Sequence, residues 1–293
     1  MTYIGRFAPS PSGPLHFGSL VAAFGSWLDA RANNGQWLVR IEDLDPPREV
    51  AGATEQILAS LQAHQLISDD KIMYQSDRLT EYDRVLAKLS TNDHLYACYC
   101  TRKQIRAQGG LHERCSGSAN STSDENTHAV RIIVNDNSPA YEDLFQGPQM
   151  LNDQQANEDF ILKRKDGLHA YMLAVVVDDI HQGVSHIIRG ADLAHSTCQQ
   201  QYLFNMLGQP VPRFGHLPMA IHPDGSKLSK QTHASAIDDT TPLENLYQVL
   251  SFLNQPLPES VSDFSSINAL FDWAIKHWDP SQFHDIREKL ATA

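Results

Sequence analysis

A strand, a proline-rich turn and a helix start follow one another in residues 3–20, which read YIGRFAPSPSGPLHFGSL. The first six residues predict a short buried strand. The Pro and Gly residues after them predict a turn, since proline fixes φ and glycine accepts positive φ. From Leu15 onward, apolar residues recur at helical spacing. Because the first N–H groups of a helix bind phosphate, the stretch predicts a phosphate site with His16 and Gly18 at its corner.

The chain continues by alternating predicted strands and helices. Strands are expected over residues 36–41 and 72–74, and helices over residues 54–65 and 79–89. Such alternation gives a parallel sheet covered by helices, so the expected fold class is α/β. Glu42 follows the second strand, at the carboxyl end where sheets of this class bind ligands. It is therefore a candidate for holding a ligand ammonium group or a ribose, and a solvated charged loop is the alternative.

The second half of the chain predicts further buried strands. Residues 159–163 and 170–177 flank a Lys-Asp-Gly turn, which indicates a hairpin whose second strand ends in two carboxylates. Residues 186–190 predict another strand, which places Arg189 beside a glycine at a strand end. Helices are expected over residues 193–207, 243–253 and 267–277, followed by a charged tail.

Three of the four cysteines lie close together, at Cys98, Cys100 and Cys115. This clustering argues against a disulfide framework and predicts a metal site, because soft thiolates select zinc. A tetrahedral site needs a fourth ligand, and His112 is the nearest candidate. The other candidates for this ligand are His94 and His128. Buried cysteines without a metal are the alternative interpretation.

Composition limits the class of protein. The 293 residues are 41% hydrophobic and 20% charged, as is ordinary for a globular chain with a sizeable core. The formal net charge of −12 does not favour nucleic acid over the whole surface. Residues 102–114 are a local basic exception, suited to phosphate contact or to a solvated helix face. The longest apolar run, residues 171–177, is far short of the ~20 residues of a membrane helix, and the first residues do not read as a signal peptide. We expect no membrane association, a cytoplasmic location and a monomer.

A second motif far along the chain makes the first more specific. Residues 227–231 read KLSKQ, about 210 positions after the HFGS of residues 16–19. The pair resembles the HIGH and KMSKS signatures of class I aminoacyl-tRNA synthetases, in the same order. Four further segments resemble the catalytic half of glutamyl-tRNA synthetases: RFAPSP at 6–11, RIED at 40–43, LAVVVDD at 173–179 and HIIRG at 186–190.

The resemblance implies a Rossmann-type class I synthetase catalytic domain, split into residues 1–93 and 159–236. A zinc-containing acceptor-type insert would occupy residues 94–158. A short helical region would occupy residues 237–293, too short for the anticodon-binding region of that family. The chain thus looks like a stand-alone paralogue that activates L-glutamate with ATP and attaches it to the queuosine base at the wobble position of tRNA(Asp).

Other functions stay open beside this one. The chain could be a truncated glutamyl-tRNA synthetase that charges a tRNA 3′ end together with a partner. It could be a non-catalytic zinc- and RNA-binding module that keeps the fold. It could also be a nucleotidyltransferase unrelated to tRNA, although a pocket with two arginines and a glutamate argues for an amino acid.

The resemblance also implies roles for single residues. The glutamate pocket would consist of Arg6, Phe7, Ala8, Pro9, Ser10, Glu42, Tyr171 and Arg189. Guanidinium groups suit the carboxylates of glutamate, and a carboxylate suits its ammonium group. ATP, with Mg²⁺ on its phosphates, would be bound by His16, Gly18, Ser19, Lys227 and Lys230, of which His16, Lys227 and Lys230 would be catalytic. A structural zinc ion would be bound by Cys98, Cys100, His112 and Cys115. His112 stands where the family has a tyrosine, and Cys115 falls one residue early.

Overall fold

The computed structural model describes residues 2–107, 109, 110, 112, 114, 128–222, 225 and 235–290. Cys115, Lys227 and Lys230 lie outside these residues, so the expectations about them stay predictions. Within the described ranges, no helix combines the length and the apolar character that crossing a membrane requires.

The N-terminal part alternates strands and helices, as the sequence predicts. Its elements are β1 (Ile4–Phe7), α1 (Phe17–Ala32), β2 (Gln36–Ile41), α2 (Ala53–Ala63), β3 (Met73–Tyr74) and α3 (Leu79–Ser90). The three strands are parallel and lie in the order β1-β2-β3. A helix connects each strand to the next, which is the crossover that parallel neighbours need.

The remaining elements form a second sheet, a small antiparallel sheet and a helical end. They are β4 (Leu95–Cys98), α4 (Arg102–Ala107), β5 (Ala129–Ile132), β6 (Ala140–Asp143), β7 (Gly147–Met150), α5 (Asp153–Ala156), β8 (Ile161–Lys163), α6 (Tyr171–His181), β9 (His186–Gly190), α7 (Thr197–Met206), β10 (Arg213–Leu217), β11 (Met219–Ile221), α8 (Pro242–Phe252), α9 (Ile267–His277) and β12 (Glu288–Leu290).

The second sheet has the order β7-β6-β10-β9, with β10 parallel to both β6 and β9. Ser185, just before β9, donates its backbone N–H to the carbonyl of Ile4 at 2.9 Å, so β9 lies beside β1. Strands β4, β5 and β8 form the antiparallel sheet. The domain division expected from the sequence stays a prediction, and β6 and β7, inside the expected insert, pair with the sheet of β9 and β10.

The predicted strand over residues 170–177 is wrong, because Tyr171–His181 form helix α6. Every residue from Leu173 to Asp179 is buried. A continuous apolar run has no period, so a helix buried on all sides gives the same pattern as a buried strand. The two carboxylates therefore lie inside the core on a helix. Of the expected hairpin, one bridge between Lys163 and His169 is present.

Two other expectations differ from the structure near the C-terminal half. Residues 193–196, expected to begin a helix, belong to a 3₁₀ segment over Ala191–Ser196 that precedes α7. The expected charged tail after α9 contains strand β12, which pairs in parallel with β11. Helices α8 and α9 pack on α1, where the rings of Trp27 and Phe271 lie 4.2 Å apart. This packing buries the apolar face of α1 and fixes its N-terminal end beside the strand ends.

Candidate active site

One cavity of about 1290 Å³ lies where β1, β2 and β9 end, beside the start of α1. Ligands of α/β proteins bind at this edge of the sheet. The structure brings all the described residues of the expected glutamate and ATP sites to its wall: Arg6, Phe7, Ala8, Pro9, Ser10, His16, Gly18, Ser19, Glu42, Tyr171 and Arg189. Their common location agrees with the expected pocket, and their individual roles stay predictions.

A buried network of charges adjoins this cavity. Arg6 donates from Nε and Nη2 to the two carboxylate oxygens of Asp179, at 3.1 and 3.2 Å. Arg40 donates from Nη1 to the same carboxylate at 2.7 Å, and its Nη2 lies 3.5 Å from Glu42. Because charges out of water require partners, Asp179 holds both arginines in place. Within the described part of the chain, Nη1 of Arg6 has no partner and remains for a ligand.

The network sets the charges in the pocket. Burial raises the pKa of Glu42 to about 7, although the nearby Arg40 and Arg6 oppose the rise. Burial also acts to raise the pKa of Asp179, but Arg40 and Arg6 outweigh it and hold that pKa below its ordinary value. At neutral pH Asp179 is therefore ionised, while Glu42 lies near its titration midpoint. A cationic ligand group beside Glu42 would favour the ionised form.

Most N–H groups of Arg189 are bound within the protein. Its Nε donates to Nε2 of His216 at 3.1 Å, and its Nη1 donates to Gln200 at 2.8 Å. Its Nη2 donates to the carbonyl of Leu193 and the hydroxyl of Thr197, at 3.1 and 2.9 Å. Of the five donors of a guanidinium, one on Nη1 is left among the described contacts. Arg189 can thus offer a ligand one hydrogen bond, rather than a two-bond fork.

At the start of α1, Nδ1 of His16 accepts a hydrogen bond from the backbone N–H of Ser19 at 3.2 Å. In a neutral imidazole the other nitrogen, Nε2, then carries the hydrogen. This arrangement provides a donor of the kind that phosphate oxygens accept. It stands next to a helix N-terminus, which favours anions.

A second site lies at the end of β4. The ligand atoms of Cys98, Cys100 and His112 lie within 4.8 Å of one another. Sγ of Cys98 is 3.2 Å from Nε2 of His112, and the backbone N–H of His112 donates to Glu158 at 2.9 Å. Two thiols and an imidazole are a donor set that fits zinc. The structure brings together three of the four expected ligands, while the fourth, Cys115, lies outside the described residues.

Four buried residues behind the cavity wall were not predicted as site residues: Arg40, Asp143, Asp179 and His216. Asp179 and Arg40 lay within segments that resembled the synthetases, yet a predicted strand end concealed the role of Asp179. His216 and Asp143 had no motif at all, because they meet through the pairing of β10 with β6. Of the expected basic residues, Arg102 lines the cavity, whereas Arg114 pairs with Asp159 at 2.8 Å.

The fold and the site together define a class I tRNA synthetase. The family described as tRNA synthetases class I (E and Q), catalytic domain, matches residues 4–250. Among solved structures, the chain is similar to a glutamate tRNA ligase from Elizabethkingia meningosepticum in complex with its amino acid, at 24% identity and a TM-score of 0.79. The match covers 100% of this chain and 68% of that one. A glutamate-tRNA synthetase from Elizabethkingia anophelis gives 23% identity and a TM-score of 0.78, over 97% and 67% of the two chains. At this level of identity, the two similarities are evidence for the fold alone.

Relatives with similar sequences identify a narrower family within the class I tRNA synthetases. A glutamyl-Q tRNA(Asp) synthetase from Serratia proteamaculans is 49% identical over 276 residues, which cover 94% of this chain and 90% of the relative. A glutamyl-Q tRNA(Asp) synthetase from Vibrio parahaemolyticus is 47% identical, over 94% and 92% of the two chains. The chain therefore belongs to the glutamyl-Q tRNA(Asp) synthetases, within the class I synthetase family.

Proposed function

We propose that this protein activates L-glutamate with ATP and transfers the glutamate to the queuosine base at the wobble position of tRNA(Asp). The observation that carries the proposal is that one cavity is lined both by the residues of the expected amino-acid pocket and by those at the helix start where phosphate is expected. Family membership and the names of the relatives support the choice of glutamate and of this tRNA.

The charges in the pocket match those of glutamate. Arg6 binds one carboxylate through its remaining donors, and Arg189 supplies one further hydrogen bond. Glu42 accepts from the ammonium group, and the hydroxyl of Tyr171, 3.4 Å from Nε2 of Gln200, borders the same space. The wall between these groups and α1 consists of Phe7, Ala8, Pro9 and Ser10.

ATP binds with its phosphates at the start of α1, beside His16, Gly18 and Ser19. Lys227 and Lys230 supply further positive charge, and Mg²⁺ bound to the ATP phosphates would neutralise negative charge there. A carboxylate oxygen of glutamate attacks the α-phosphorus in line, which forms glutamyl-adenylate and releases pyrophosphate. Such a transfer depends on positioning and charge, so no dedicated base is required.

In the second step, a hydroxyl of the queuosine cyclopentene ring attacks the glutamyl carbonyl carbon. An ester bond forms, the bond to phosphate breaks, and AMP leaves with the electron pair. The hydroxyl proton passes to solvent or to the leaving phosphate. We propose that a structural zinc ion bound by Cys98, Cys100, His112 and Cys115 holds the nearby segment in place, without a part in this chemistry.

Transfer of radiolabelled glutamate tests the proposal. The purified chain receives ATP and tRNA(Asp) from cells that make queuosine, or from cells that cannot. We expect label only on the queuosine-containing tRNA and, after nuclease cleavage, only in the anticodon fragment. Label at the 3′ end of both tRNAs would instead indicate a truncated synthetase. Absence of glutamate-dependent pyrophosphate exchange would indicate a non-catalytic module.

A pair of lysine variants tests the ATP site within the same assay. Lys230→Ala should lose glutamate-dependent pyrophosphate exchange. Lys276→Ala changes an exposed lysine in the last turn of α9 and should keep normal pyrophosphate exchange. Equal exchange by the two variants would contradict the assigned role of Lys230.

A further inference from the structure

Behind Arg189 lies a buried chain of hydrogen bonds that the proposed chemistry does not use. His216 on β10 accepts from Nε of Arg189 through its Nε2 at 3.1 Å. On its other side, Nδ1 of His216 bonds to a carboxylate oxygen of Asp143 on β6. All three side chains are buried, at 4% exposure or less. Arginine, histidine and aspartate are therefore joined in one line from the cavity into the core.

The direction of each bond follows from the chemistry of arginine. A guanidinium cannot lose its proton in a protein, so Nε of Arg189 donates and Nε2 of His216 accepts. The hydrogen of the neutral imidazole is then on Nδ1, where it is donated to Asp143. Burial and the charge of Arg189 both lower the pKa of His216, although Asp143 opposes the shift. The ring thus stays neutral in the tautomer that Arg189 needs.

Asp143 is itself fixed by the backbone. Its Oδ1 accepts N–H bonds from Phe145 and Gln146 at 3.0 Å each, and from His216 at 3.2 Å. Its remaining oxygen is directed to the imidazole. Because these backbone groups belong to the turn after β6 and to β10, the carboxylate is fixed by the sheet. The sheet thus fixes the carboxylate of Asp143, which determines the tautomer of His216. That tautomer in turn determines the position of the Arg189 guanidinium.

We propose that His216 and Asp143 are positioning residues that hold the guanidinium of Arg189 in the orientation that binds a carboxylate of the substrate. The proposal rests on the proposed role of Arg189 in glutamate binding. Neither residue contacts the substrate. Their effect is to keep one N–H of Arg189 directed into the pocket while its other donors are held by the protein.

Two substitutions of one residue separate this role from a merely structural one. In His216→Gln, the amide oxygen can stand near the position of Nε2 and accept from Arg189, while the donor to Asp143 is lost. In His216→Asn, the shorter amide can donate to Asp143, while the acceptor for Arg189 is lost. Each variant removes one buried hydrogen bond, so the two variants should lose a similar amount of folding stability.

Glutamate-dependent pyrophosphate exchange provides the kinetic readout. We expect His216→Asn to raise the KM for glutamate roughly ten- to 100-fold, the range for a lost bond to a charged group. The KM for ATP should stay within about twofold, and His216→Gln, which keeps the acceptor for Arg189 but loses the donor to Asp143, should raise the KM for glutamate by a smaller factor. Equal rises in the two variants, or a rise for ATP as large as that for glutamate, would overturn the proposal.

A measurement on the unmodified protein covers the case in which neither variant folds. With ¹⁵N-labelled histidine, long-range ¹H–¹⁵N spectra report which ring nitrogen carries the hydrogen. We expect the Nδ1–H tautomer for His216 across neutral pH, with a signal that moves when glutamate is added. An Nε2–H tautomer, or a signal that glutamate leaves unmoved, would overturn the proposal. The tautomer does not depend on turnover, so failure of the proposed function would be seen separately as absent exchange in the parent.

Discussion

Asp179→Asn removes a negative charge that two buried arginines share, with little change in shape. The carboxylate accepts bonds from Arg6 and Arg40, at 2.7 to 3.2 Å. Its side chain is 1% exposed, and those of the arginines are 3% and 0% exposed. The amide can accept on one side only, so a positive charge stays buried without compensation.

The expected magnitude follows from this burial. Removing one partner of a buried ion pair costs about 3–5 kcal/mol in the free energy of unfolding, because the remaining charge cannot reach water. In a chain of 293 residues, that corresponds to a fall in Tm of roughly 5–8 °C. The matched control is Glu81→Gln, which breaks an exposed pair with Arg84 at 2.6 Å. An exposed pair contributes about 0–1 kcal/mol.

Urea unfolding at neutral pH, followed by circular dichroism, provides the measurement. Equal slopes for the parent and both variants would show that the same surface is exposed on unfolding, so the midpoints can be compared. We expect Asp179→Asn to lose several times more stability than Glu81→Gln, and to raise the KM for glutamate because Arg6 loses its support. A loss no larger than that of Glu81→Gln would refute the reasoning.

Three other predictions concern pH and metal. Glu42 has a pKa of about 7 and must be ionised to bind an ammonium group. The KM for glutamate should therefore rise by about tenfold for each pH unit below 7. Glu42→Gln should make this KM nearly independent of pH. Burial, together with the nearby charge of Arg213, lowers the pKa of His186 to about 4. The stability that depends on the neutral ring is therefore present above pH ~6.5 and is lost as the pH falls towards 4. In urea unfolding, His186→Phe should lose less stability on acidification than the parent. Cys98→Ser should lower the zinc content below about one ion per chain and should lower Tm. Cys198 is buried and is not part of the cluster, so Cys198→Ser should keep the metal.

Each of these three has a distinct contrary result. A KM for glutamate that stays constant between pH 6 and 8 would contradict the role of Glu42. Parallel stability curves for His186→Phe and the parent would mean that this imidazole does not titrate during acid unfolding. Full zinc content in Cys98→Ser would remove that thiolate from the ligand set.

The alternation of strands and helices was predictable from short apolar runs between turn residues and from apolar residues at helical spacing. The predicted positions of β2, at 36–41, and of α9, at 267–277, match the structure. The residues of the pocket were found through motifs, since they lie in short segments next to strand ends. These features depend on local sequence alone.

The errors have a common physical cause, which is contact between distant residues. Residues 173–179 of α6 are buried because α3, α7 and β8 pack around the helix, and no local pattern reveals such neighbours. His216, which accepts from Arg189, and Asp143 behind it lie on β10 and β6, more than 20 residues away from Arg189 in the chain. Sequence reasoning therefore identified side chains that line the cavity, but not how those side chains are held.

Strand β11 has a consequence for synthesis on the ribosome. Its partner, β12, begins at Glu288, 69 residues after Met219 (288 − 219). At about 5–20 residues per second, β11 emerges roughly 3–14 s before the strand that covers its edge. During that interval its backbone N–H and C=O groups are open to other chains, and an open edge invites association. Translation speed over residues 222–288 should therefore influence how much of the newly made protein aggregates.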